Sequence, residues 1–186
     1  IIKEVFKNYF KQEDKIEITT LADIPAGTGL GSSGSFTTAL IKALSVHNKK
    51  NISQEEIADK ACEIEIEKLK EPIGKQDQYI ASYGGLKCFN FNKNGEVKIS
   101  NLKLKNSMVN KLEDNLILFF TGYQRSASKV LRIQDTKSKS NQNTMIKNLD
   151  FVKKIGLESK KYLENNDFFS YGQLMNQHWE FKKQRS

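Results

Sequence analysis

Along the chain the hydrophobic positions first alternate and then change period. Ile16, Ile18, Thr20, Ala22 and Ile24 fall on every second position, which predicts a strand over residues 15–24 with one buried face. From Phe36 the apolar positions Phe36, Ala39, Leu40, Ala43, Leu44 and His47 recur at the three- and four-residue interval of a helix packed on a core. Ile2, Val5, Phe6, Tyr9 and Phe10 predict an earlier helix over residues 1–12. Ser53 opens another that runs to about Lys70, with Ile57, Ala58, Ala61, Cys62, Ile64 and Leu69 inward and Ser53 with Glu56 as a capping box. Leu86 to Phe91 and Val97 to Ile99 flank Asn94-Gly95, a hairpin signal. Leu116-Ile-Leu-Phe-Phe120 is a continuous apolar run, as in a strand buried on both faces. The polar stretch from Thr136 to Lys147 reads as a solvated loop or helix start, and amphipathic helices follow over Met145 to Leu163 and Phe168 to Lys183.

Glycine bridges the first change of period, in Asp23-Ile-Pro-Ala-Gly-Thr-Gly-Leu-Gly-Ser-Ser-Gly-Ser-Phe36. Gly27, Gly29 and Gly31 let the backbone take positive φ and approach a ligand without a Cβ in the way. The unpaired N–H groups of the following helical turn, at the positive end of its dipole, point into that bend and make an anion site. Ser32, Ser33 and Ser35 add hydroxyls that cap the helix, donate to phosphate or coordinate a divalent cation. No Lys lies between Asp23 and Ile41, which excludes a Walker A loop. Gly29-Leu-Gly-Ser-Ser-Gly34 matches the dinucleotide fingerprint, but the region about 20 residues on is Asn51-Ile-Ser-Gln-Glu-Glu56, a helix start rather than an acidic strand end.

Composition narrows the class without choosing within it. The 186 residues, 38% hydrophobic and 28% charged, suffice for a globular core, and no apolar run approaches a membrane span. The net charge of +8 comes from scattered lysines, not a patch interleaved with aromatics, so no nucleic-acid partner is expected. No signal-peptide pattern opens the chain, which leaves the cytoplasm as the default. Cys62 and Cys88 lack metal-ligand spacing and read as free thiols.

Three further positions carry candidate chemistry. On the helix from Ser53, Glu65 lies within about 60° of Ala58, Cys62 and Leu69, whereas Glu63 and Glu67 point about 160° away from it. A carboxylate on an apolar face needs a partner such as a metal ion, or else sits at the stripe's edge and reaches solvent; Glu67 is the fallback ligand. Pro72 and Gly74 break the helix, and Asp77 near the next helical start serves either as an N-cap or as a functional carboxylate. Arg125, Ser126 and Ser128 open a later helix, either as caps or as a second phosphate site.

The run Pro25-Ala-Gly-Thr-Gly-Leu-Gly-Ser-Ser33 resembles the second motif of the GHMP kinases, the superfamily of galactokinase, homoserine kinase, mevalonate kinase and phosphomevalonate kinase. Pro72-Ile-Gly-Lys-Gln-Asp-Gln-Tyr79, with Gly84-Gly85 after it, resembles the catalytic segment of the family's sugar kinases. The resemblance implies an α+β chain. A ribosomal protein S5 domain 2-like N-terminal domain would extend to about residue 105, and a ferredoxin-like C-terminal domain would begin over 106–186. It implies ATP and Mg²⁺ as cofactors, with Pro25, Gly27, Thr28, Gly29, Leu30, Gly31, Ser32 and Ser33 around the nucleotide phosphates and Ser33 with Glu65 on the metal. Asp77 is then the base facing the acceptor hydroxyl, and Lys75, Gln76 and Gln78 line the acceptor site. A third segment, Phe120-Thr-Gly-Tyr-Gln-Arg-Ser-Ala-Ser128, agrees, and a sugar phosphate acceptor would assign its phosphate to Gly122, Arg125 and Ser126. The implied activity is ATP-dependent phosphorylation of a sugar's anomeric hydroxyl, with small-molecule partners, no membrane and a homodimer compatible. The family's first and third motifs are not found, so the chain is expected to be a fragment; a different acceptor sugar or a non-catalytic nucleotide-binding module are the alternatives.

Overall fold

The computed structural model describes residues 1–9, 16–24, 27–122, 127–140 and 143–183. The chain forms two compact units, Ile1–Gly85 with Gly122–Leu131, and Leu86–Thr121 with Arg132–Ser186.

In the first unit, α1 (Ile2–Tyr9), α2 (Ser32–His47) and α3 (Gln54–Cys62) bury one cluster of Val5, Leu40, Ile41, Leu44, Ile52, Ile57, Ala61 and Ile64. Ser53 caps α3 as its sequence predicts: its hydroxyl accepts from Glu56 N at 3.1 Å, and Glu56 Oε2 accepts from Ser53 N at 2.9 Å. The helix then widens into a π-helical segment, Glu63–Lys68, and after the Pro72 and Gly74 break the chain resumes as α4 (Gln76–Tyr83). Helix α4 packs on both α2 and α3. On the α3 side, Tyr79 donates its hydroxyl to Asp59 at 2.6 Å.

The buried face of α2 is not the expected one. Ala39 and Ala43 are exposed, while Thr37, Thr38, Ile41 and Ser45 are buried beside Leu40 and Leu44. Two threonines can enter the core because they satisfy their own hydroxyls, Thr37 donating to Ser33 O and Thr38 to Gly34 O, each at 2.9 Å. A reading that counted only apolar side chains placed the stripe about one residue off.

In the second unit β1 (Lys87–Phe91) pairs antiparallel with β2 (Val97–Asn101), from Lys87 opposite Asn101 to Phe91 opposite Val97. Asn94-Gly95 lies in the loop as expected, with Gly95 at φ 86° and its N–H donating to Asn92 O. Helix α5 (Asn106–Asp114) follows; α6 (Ala127–Lys139) passes from the first unit's residues to the second's. Then α7 (Asn143–Glu164) and α8 (Phe168–Lys183) pack together, with Asn148 donating to Phe181 O at 2.9 Å.

Two predicted strands are not strands here. Residues 16–24 form neither helix nor strand, with Ile18, Leu21 and Ile24 exposed, and Leu116 to Phe120 are 52–79% exposed instead of buried on both faces. A strand needs a neighbour for its backbone N–H and C=O groups. Among the described residues, the only such pairing is β1 with β2.

Candidate active site

The glycine loop has the backbone its composition asks for: Gly27, Gly29 and Gly31 stand at φ 81°, 82° and 70°. Gly31 is the N-cap residue of α2 and offers no side-chain acceptor, so none of the neighbouring serines caps the helix. Ser32 and Ser33 lie inside the first turn and are exposed. That turn holds no acidic residue of its own, and its N–H groups face the loop.

Asp77 sits against this turn. A Cβ built on Gly31 would lie 3.3 Å from Asp77 Cγ and 3.4 Å from its Oδ2. Gly34, one turn into α2, is the seat for the backbone of α4: a Cβ there would come within 3.0 Å of Asp77 C and 3.1 Å of Gln78 N. Sequence reasoning missed Gly34. The available signal was a glycine inside a helix, which costs about 0.5–1 kcal/mol relative to Ala and so calls for a reason such as close helix approach.

Asp77 is not an N-cap. Lys75 occupies that position with no side-chain cap bond, and Asp77 lies in the first turn of α4 with its carboxyl exposed toward the loop. Glu65 is 1% exposed, as its helical position predicts, while Glu63 and Glu67 are exposed. Among the described residues its Oε1 has no hydrogen-bond partner. Gln78 is fully buried, and neither end of its carboxamide is hydrogen-bonded among those residues. Gln76 is exposed; Lys75 is half-buried and lines a cleft of about 380 Å³ with Asp59, Lys60, Cys62, Glu63, Ile66 and Glu67. Burial pushes the Cys62 thiol up to about 12, so it is not a nucleophile. Gly122 is exposed at φ 77°; Pro25, Arg125 and Ser126 lie outside the described residues.

Glu65 is a carboxylate of the kind that Mg²⁺ takes. Among the described residues no cluster of three or more His, Cys, Asp or Glu could hold a metal by itself. Mg²⁺ does not require one, since it is commonly held by one or two carboxylates plus substrate phosphates and water. A buried carboxylate with an orphaned oxygen is a costly arrangement that such a cation would relieve.

Residues 1–85 match the family described as GHMP kinases N terminal domain. The chain is 30% identical over 183 residues to D-glycero-alpha-D-manno-heptose 7-phosphate kinase of Campylobacter jejuni, covering 98% of this chain and 53% of that protein. It is 25% identical over 181 residues to a bifunctional fucokinase/GDP-fucose pyrophosphorylase of Arabidopsis thaliana, covering 96% of this chain and 17% of that protein. A crystal structure of a D-glycero-D-manno-heptose 1-phosphate kinase from Bacteroides thetaiotaomicron superposes with a TM-score of 0.75 at 28% identity, over 97% of this chain and 52% of that one. The chain thus spans about half the length of the two heptose phosphate kinases it matches.

Proposed function

We propose that the protein is an ATP-dependent kinase that phosphorylates the anomeric hydroxyl of a heptose 7-phosphate, since residues 1–85 match the GHMP kinase N-terminal domain family and the chain is similar to a heptose 7-phosphate kinase. The observation that carries the reading is the contact between the Asp77 carboxylate and the N-terminal turn of α2. It brings a base and an anion-binding helix end to one place, as transfer of a terminal phosphoryl group to a hydroxyl requires.

In this reading the amides from Gly27 to Ser33 hold the nucleotide phosphates, and Ser33 with Glu65 holds Mg²⁺. The cation supplies neutralisation of the charge on the phosphate oxygens. Phosphoryl transfer passes through a loose transition state, so positioning and charge neutralisation dominate its catalysis. Asp77 orients the acceptor hydroxyl and accepts its proton as the new P–O bond forms. Lys75, Gln76 and Gln78 flank Asp77 in sequence and line or support the acceptor site. Gly122, Arg125 and Ser126 bind the acceptor's own phosphate. The product would be the 1,7-bisphosphate, a precursor of nucleotide-activated heptose for surface polysaccharide, made in the cytoplasm.

The likeness to the fucokinase keeps a second acceptor class in view, an unphosphorylated sugar. ADP release by the full-length protein, measured with MgATP across heptose 7-phosphate, heptose, fucose, galactose and mevalonate, separates them. The proposal expects the highest kcat/KM for heptose 7-phosphate; turnover of free sugars alone would overturn it.

A further inference from the structure

Helix α4 carries Asp77 and is too short to hold its own place. It has eight residues, and its N-cap, Lys75, makes no side-chain cap bond. The chain breaks at Pro72 and Gly74 before it and at Gly84-Gly85 after it. Its position is therefore set by what it packs on, α2 on one side and α3 on the other.

The two contacts differ in kind. Toward α2 the helix backbone rests on Gly34, where a Cβ would come within 3.1 Å of Asp77 Cβ and of Gln78 N. Such a contact limits how near α4 comes but supplies no directional bond. Toward α3 the bonds are directional: Tyr79 donates its hydroxyl to Asp59 Oδ1 at 2.6 Å, and Ser82 donates to Gln54 O. Tyr79 is 2% exposed, and burial, followed by the adjacent Asp59 carboxylate, pushes its phenol above the ordinary range, so it stays a donor at neutral pH. Asp77 and Tyr79 stand about 200° apart around the helix axis, so a bond on the α3 side governs the rotation that turns Asp77 toward Gly31 on the α2 side.

We propose that Tyr79, through its bond to Asp59, is a positioning residue for Asp77: it sets the rotation of α4 that holds the carboxylate against the N-terminal turn of α2. The proposal rests on the reading of Asp77 as the base above. Misplacing a reacting group by about 1 Å costs on the order of 10²-fold in rate, so a modest rotation of α4 is visible in kcat. Ser82 bonds the same pair of helices from the far end of α4 and separates this role from plain docking.

The test is steady-state turnover of the full-length protein with MgATP and heptose 7-phosphate, beside thermal melting. Tyr79→Phe keeps the ring and removes the hydroxyl; Asp59→Ala removes the same bond from an exposed position. Each is expected to lower kcat about 10-fold with KM for MgATP within about twofold. Asp59→Asn, which still accepts the bond, is expected to stay within about threefold of the parent, and Ser82→Ala within about twofold. In an Asp77→Asn background, Tyr79→Phe is expected to cost less than about twofold of the residual turnover, because the group it positions is gone. Parental kcat in both Tyr79→Phe and Asp59→Ala, an equal loss in Ser82→Ala, or an undiminished loss in the Asp77→Asn background would overturn the positioning role and leave the kinase reading intact. Failure of both Tyr79→Phe and Asp59→Ala to fold would overturn it as well, by making the bond a structural one. Near-parental turnover of Asp77→Asn alone would remove the base, and the inference with it.

Discussion

Thr37 and Thr38 on α2 are buried polar residues, and so are Glu65 and Gln78 a few residues from the bends that bracket Asp77. The threonines turn their hydroxyls back onto carbonyls of their own helix and ask nothing of the rest of the molecule. Glu65 and Gln78 stay buried with atoms unpaired. The first arrangement is neutral in energy and explains itself; the second is costly, and its cost is offset only if something outside the chain completes it. Burial by itself therefore does not separate core from site in this protein, whereas the state of the hydrogen bonds does.

That contrast can be broken by substitution at either region. The largest effect is expected at the loop. Gly31→Val forces a β-branched residue to φ near 70° and drives its side chain into the Asp77 carboxylate, so kcat/KM of the full-length protein should fall about 100-fold or more. Its circular dichroism should stay helical, and a mild kinetic effect would show that the Gly31 and Asp77 approach is not used in turnover. The smallest effect is expected at the satisfied threonine. Thr37→Val removes a hydroxyl bonded only within α2, and should change stability by less than about 1 kcal/mol in denaturant unfolding, with kcat unaltered. A large loss of activity there would erase the distinction drawn between the two kinds of buried polar residue.

Much of the first unit could be read from residues alone because the signals are local. The Ser53 and Glu56 box, the inward side of Glu65 and the glycine bend each depend on neighbours within one or two turns, and each is found. The two apolar runs at 16–24 and 116–120 could not be resolved in the same way. Their alternation and continuity report a preference for pleated, buried backbone, but a strand is made by its partner, and none pairs with them among the described residues. The face of α2 was misjudged because a threonine that bonds its own helix behaves as an apolar residue, which composition does not reveal. The seat at Gly34 depends on a helix more than forty residues later in the chain, beyond the reach of local pattern.

The account stands on Asp77 acting at the helix end it touches. The direct measurement is steady-state turnover of Asp77→Asn in the full-length protein with MgATP and heptose 7-phosphate, beside nucleotide binding by calorimetry. Loss of a general base predicts kcat lowered by about 10² or more with MgATP affinity retained within a few-fold. Turnover near that of the parent would contradict it.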